Sequence, residues 1–149
     1  RQIRFLALNY QLQKIILPHK ASTKNWVTNE MKIFIIIILL SLMTKLVEKI
    51  LVELEDNKAL DIVSINVSEK TSLTDYLIFA TGTSNRHIGS ISEAINQKLK
   101  KLNMPLPSVE GKNDSGWIVI DGGDVIVHLF KDEIRKFYNL ENMWSAEIQ

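Results

Sequence analysis

Apolar residues recur at steps of three and four at Leu46, Val47, Ile50, Leu51 and Leu54, with Glu48, Lys49, Glu53 and Glu55 between them. That period belongs to an amphipathic helix, which ends near Asp56-Asn57. Over residues 61–67 the pattern shifts to alternation with β-branched side chains, which predicts a strand. Its polar positions, Ser64 and Asn66, leave one face lightly buried. A loop follows over 68–73. Residues 75–81 are apolar on both faces, as expected of an inner strand. Gly82-Thr83-Ser84-Asn85 then turns the chain into a second helix, with Ser84 or Asn85 positioned to cap its free N–H groups. Ile88, Ile91, Ile95, Leu99 and Leu102 form its buried stripe. Asn103, Pro105 and Pro107 stop it, and residues 106–111 predict a short extended segment. Two β-rich runs, 116–121 and 124–130, flank Gly122-Gly123 and predict a hairpin. Residues 132–138 predict a short helix and 140–144 a tail.

The order is therefore α-β-β-α-β-β-β-α. Helices cannot all fall between parallel strands in that order, so the sheet is expected to be mixed and the class α+β, or mixed α/β. About 107 residues suffice to bury one modest core.

Charge divides the chain. Residues 1–42 hold six basic residues and one acid, Glu30; residues 43–149 hold twelve basic and sixteen acidic residues. The longer part is a poor candidate for gripping a phosphate backbone, which needs clustered Lys and Arg. It suits docking on a basic protein surface better. In the basic part, Pro18 and the polar stretch after it break any helix. Lys32 then precedes an apolar run of about eleven residues, 33–43, too short to span a bilayer. The run has the positive start and apolar centre of a secretion signal but lacks a small-x-small cleavage site. The chain starts at Arg1 rather than Met. The first residues are then expected to be either a fragment or an over-extended reading frame, and we read 1–42 as an extension outside the domain, ahead of an internal start at Met43, with the domain expected over 43–149.

Candidate chemistry is sparse. The chain has no cysteine and three histidines, which excludes thiolate zinc sites and cysteine nucleophiles and disfavours a multi-histidine metal site. No metal or other cofactor is expected. Gly82-Thr83-Ser84 sits between a strand and a helix, where phosphate often binds, yet it lacks the Walker lysine and the Rossmann glycines. An ordinary turn and cap is the favoured reading. No Asp-x-Asp pair is present to hold two catalytic metals, and Asp121 and Asp124 read as turn residues. His128 reads as a hydrogen-bonded structural residue without a serine or carboxylate partner. His87 and Arg86 open the second helix; contact with a partner is one reading of either, and ordinary solvation at a helix start is the favoured one. Trp117 heads a strand apolar on both faces, with Trp117 and Val119 on one and Ile118 and Ile120 on the other. Three modest helices must cover the sheet, so a face left open and rimmed by acids suits protein docking. A core Trp is the equal alternative, and Trp, Tyr and Arg are the usual interface anchors.

Several stretches now converge on one family. They are Lys58-Ala59-Leu60-Asp61-Ile62-Val63, Thr74-Asp75-Tyr76, Ala80-Thr81-Gly82-Thr83-Ser84-Asn85-Arg86-His87 and Val109-Glu110-Gly111. The most telling are the whole run 117–130 and the following Arg135-x-x-Tyr138-x-Leu140-Glu141-x-x-Trp144. In this order, over nearly the whole domain, the chain resembles the ribosomal silencing factors, the RsfS/Iojap family. The first 42 residues depart from the pattern.

The resemblance implies a nucleotidyltransferase-like fold, a mixed sheet of about five strands flanked by helices, without transferase chemistry. It implies a cytoplasmic, non-enzymatic repressor of translation. Such proteins bind the large ribosomal subunit through ribosomal protein L-fourteen, on the face that meets the small subunit, and block joining when nutrients are scarce. Organellar relatives assist large-subunit assembly. No direct grip on nucleic acid and no membrane attachment are expected. An interface of about 1,600 Å² is enough for specific binding. The expected anchors are Trp117, with Val119 and Asp121 on the same strand face, and Glu110, Tyr76, His128 and Tyr138 nearby. Asp121 and Glu110 are suited to meet Arg or Lys on the partner. The rival readings are a degenerate nucleotidyltransferase binding nucleotide at Gly82-Thr83-Ser84, and a tethered or exported protein using residues 32–43. Self-association into a dimer is left open by an unpaired sheet edge or face.

Overall fold

A computed structural model describes residues 28–104, 107–111 and 114–146. Pro105, Leu106 and the first 27 residues, on which parts of the sequence reading fall, lie outside the described residues. The chain divides between Thr44 and Lys45 into two units. Helix α1 (Asn29–Asp56) starts well before the expected Leu46. Within its first part, Ile33, Phe34, Ile37 and Leu40 are exposed. From Lys45 on, the amphipathic stripe does what its period predicts: Leu46, Val47, Ile50 and Leu54 are buried. Among the described residues no helix is long and apolar enough to cross a membrane.

The other elements are β1 (Leu60–Asn66), β2 (Tyr76–Gly82), α2 (Asn85–Lys101), β3 (Ser108–Glu110), β4 (Trp117–Asp121), β5 (Val125–Lys131), α3 (Asp132–Tyr138) and α4 (Leu140–Ser145). The expected tail is thus a helix. It is separated from α3 by one residue, Asn139, whose φ of 46° lets the chain turn without a glycine.

The five strands form one mixed sheet in the order β1-β2-β5-β4-β3. Only β2 and β5 run parallel; the other neighbours are antiparallel. The doubly apolar β2 is an inner strand, buried from Leu77 to Gly82. β1 is an edge strand and largely exposed. Its register slips between Leu60 and Val63, where Asp61 takes a φ of 48°. This bulge re-aims the Asp61 carbonyl, a detail that alternation alone does not reveal.

Two apolar clusters sandwich the sheet. On one side, α1 and α2 pack Ile50, Leu54, Ile88, Ile91, Ile95 and Leu99 against Ile78, Ala80, Ile120, Val127 and Leu129. Each fully buried side chain of this size contributes about 1.5–3 kcal/mol, so this layer carries most of the stability. Ser84 caps α2, its hydroxyl accepting the His87 backbone N–H at 3.0 Å. The other side is smaller. Val67, Leu77, Phe79 and Phe130 are buried there, with Ile134, Leu140 and Trp144 of the two short helices packed against them.

Candidate docking face

Register fixes which side chains share the smaller side of the sheet. Trp117 stands opposite Phe130, Val119 opposite His128, and Asp121 opposite Ile126. Glu110 stands opposite Val119 on the outer strand, and His128 lies beside Phe79 on the inner one. A row therefore runs from Glu110 through Val119 and His128 to Phe79. Paired residues in neighbouring strands point to one face, so this row and the Trp117–Phe130 pair form one continuous surface.

Its centre is an aromatic cluster. The His128 ring stacks on Phe79 with centroids 5.1 Å apart and on Phe130 at 5.9 Å. Trp117 lies 5.1 Å from Phe130 and 5.0 Å from Tyr138. The Trp117 indole N–H donates to His128 Nδ1 at 3.3 Å, which places the imidazole proton on Nε2. Burial pushes the His128 imidazole down from its usual 6.5 to about 4, so it is neutral at physiological pH. His128 is thus hydrogen-bonded, and its partner is the Trp117 indole, which spacing alone did not identify.

Besides their apolar packing, the short helices are tied to this face by polar contacts. Arg135 is nearly buried; its Nε donates to the Glu141 carboxylate. One of its terminal nitrogens donates to the Asp61 carbonyl at 2.7 Å and to the Thr81 hydroxyl at 2.8 Å. Arg135 therefore ties α3 to α4, to the β1 bulge and to the end of β2. Lys70 adds a second tie, donating to the Trp144 carbonyl at 2.6 Å. Gly116 lets α3 approach. Its φ is 71°, and a Cβ there would sit 3.0 Å from Ile134 Cγ1.

Six of the seven expected anchors meet on this face: Trp117, Val119, Asp121, Glu110, His128 and Tyr138. Trp117 and Val119 are half-buried, Glu110 and Asp121 exposed, and Tyr138 is 50% exposed. Asp121 has a second role, since its Oδ1 accepts the Gly123 N–H at 2.8 Å and closes the hairpin turn. Tyr76 does not join them. It occupies the even phase of β2 and, like Leu51 and Ile62, packs against the buried cluster on the opposite side of the sheet. Its hydroxyl accepts from Asn66 Nδ2 at 3.3 Å.

His87 is also placed differently from expectation. Thr83 N–H donates to its Nδ1 at 3.0 Å, and its Nε2 sits 2.8 Å from the Asn57 carbonyl. The ring therefore clamps the end of α1 to the start of α2 instead of facing solvent. The Gly82-Thr83-Ser84 turn spends its Thr83 N–H on this clamp, and its Ser84 hydroxyl accepts the His87 N–H in the cap, as the turn-and-cap reading expects. Among the described residues no three His, Asp or Glu side chains converge as metal ligands would.

Two exposed apolar residues were not foreseen. Phe137 is 79% exposed and Met143 62%. The Phe137 ring meets Tyr138 edge-on at 5.1 Å, which extends the aromatic surface beyond Trp117. The available signal was α3 itself, a seven-residue helix with three apolar residues and none of its side chains fully buried.

The fold and face define a class: an α+β domain with a mixed five-strand sheet, one side of which carries a partly open surface of aromatic and acidic side chains. Comparison with known proteins gives the family. A family described as ribosomal silencing factor during starvation matches residues 41–149, and the chain belongs to it. A ribosomal silencing factor of Zymomonas mobilis is 37% identical over 62% of this chain and 69% of its own. A mouse protein named mitochondrial assembly of ribosomal large subunit protein 1 is 33% identical over 62% of this chain and 42% of its own. A crystal structure of a Chromobacterium violaceum protein superposes with a TM-score of 0.65 at 32% identity, covering 71% of this chain and 88% of that one.

Proposed function

We propose that the domain over 43–149 binds the large ribosomal subunit through ribosomal protein L-fourteen, and represses translation by standing where the small subunit would dock. It acts in the cytoplasm, by occupying space and without breaking a bond. The observation that carries this reading is the Trp117 face: an aromatic surface left half-open by two short helices and bordered by Glu110 and Asp121. Half-buried Trp and Tyr at the centre of a patch are the usual energetic anchors of an interface. The acidic excess of residues 43–149 complements a basic ribosomal protein and speeds encounter with it. Family membership supports the ribosome as the partner, and the name of the mouse relative supports the large subunit and a part in its assembly.

Sucrose-gradient sedimentation with purified subunits tests the reading. The protein is expected to co-migrate with large subunits and to lower the yield of joined ribosomes. Trp117→Ala is expected to weaken co-migration at least tenfold while the variant stays folded by circular dichroism, in line with a centrally placed interface Trp. Undiminished joining in the presence of saturating protein would overturn the proposal.

A further inference from the structure

The docking face carries a groove of about 340 Å³ beside Trp117. Trp117, Val119, Ile134 and Tyr138 supply its apolar lining, and Glu110 is the one charged side chain among its described lining residues. We propose that this groove takes a single arginine side chain of the docking partner, its guanidinium lying on the Trp117 and Tyr138 rings and paired with the Glu110 carboxylate. The inference rests on the docking reading above and names what that face recognises.

Three features argue for this occupant. The Trp117 indole N–H is already spent on His128, so what the side chain offers a partner is its ring face. An aromatic face attracts a cation, and Trp does so best. Next, no cation among the described residues pairs with Glu110; the nearby Lys131 is bound by Glu133 at 2.5 Å. An apolar occupant would bury the Glu110 carboxylate without compensation, and an anion would be repelled by it. Finally, a guanidinium is planar, weakly hydrated and able to bond a carboxylate with two parallel N–H groups while it stacks. A lysine ammonium does neither as well, so the groove selects arginine over lysine.

The test uses the full chain and N-acetyl-arginine methylamide as probe, followed by NMR at the Trp117 indole N–H, assigned with Trp117→Phe. Saturable shifts are expected with the arginine probe. The citrulline analogue has the same shape and no charge, and it is expected to bind roughly tenfold more weakly. Glu110→Gln is expected to weaken the arginine probe by a similar factor, and the lysine analogue to bind several times more weakly than arginine. An equal response to citrulline, an unchanged response in Glu110→Gln, or no response at all overturns the assignment. Large-subunit co-sedimentation run in parallel separates the two readings. Retained co-sedimentation with a silent probe removes the arginine assignment alone. Lost co-sedimentation with a responsive probe removes the large-subunit reading and leaves the groove an arginine receptor.

Discussion

His128 and Arg135 show how much of this domain turns on single side chains. His128 is stacked between phenylalanines and held neutral, while in the unfolded chain it titrates near 6.5. Protons therefore bind the unfolded state first as pH falls. Stability is full above about pH 6.5 and declines as pH drops towards 4, by up to roughly 3 kcal/mol from this group. Urea titrations at several pH values check this, and His128→Phe is expected to flatten the dependence across that window. In the folded state protonation at Nδ1 comes only near pH 4, where it also removes the acceptor of the Trp117 indole and loosens the Trp117 face. Arg135 makes a different demand. Its truncation to Ala strands the Glu141 carboxylate and frees the Asp61 carbonyl and Thr81 hydroxyl together. A loss of about 3 kcal/mol is expected, read as a lower urea midpoint.

Elements transmit these local choices. The start of α2 lies close on β2 because residue 82 has no side chain. A Cβ at Gly82 would fall 2.9 Å from Ile88 Cγ1 and 3.2 Å from the Ile88 nitrogen. Gly82→Ala must push the first turn of α2 outward, which also strains the His87 clamp to Asn57. Overpacking of this kind costs about 1–3 kcal/mol, and thermal unfolding of the variant reports it. The two C-terminal helices show the opposite case. Each has fewer than eight residues, too few to hold helical structure alone. They persist because Ile134, Leu140 and Trp144 pack on the sheet and Arg135 pins them to it.

At the scale of the molecule, one side of the sheet is for stability, and on the proposed reading the other is divided between stability and recognition. Helices α1 and α2 cover the first side, whereas α3 and α4 leave the Trp117 end of the second half-open. Phe137 separates the two roles. It is 79% exposed, so Phe137→Ser is expected to change stability by less than about 0.5 kcal/mol. The same variant is expected to weaken large-subunit binding several-fold, because its ring continues the surface through Tyr138 to Trp117. Unequal salt sensitivity gives a second readout. Association is expected to slow as ionic strength rises, while dissociation, governed by the aromatic centre, changes little. Stopped-flow measurements with labelled subunits resolve the two rates.

Local periodicity determined most of the architecture. The 3.6-residue stripe at residues 88–99 and the doubly apolar run at 75–81 fixed α2 and the inner strand, because burial of one face is a property of spacing. Alternation likewise placed Trp117, Val119 and Asp121 on one face and Ile118 and Ile120 on the other. Local pattern does not reveal which face stays open, since that depends on where helices distant in the chain come to rest. Tyr76 went to the covered side for this reason. Its phase within β2 is readable, but the side that each phase joins is set by pairing with β5, some fifty residues later. Arg135 reaches partners 54 and 74 residues away, and its role exists only once the bulge at Asp61 has turned a carbonyl towards it. Spacing acts through the backbone over a few residues; contacts between distant segments are decided by packing, and the Trp117 face is made of such contacts.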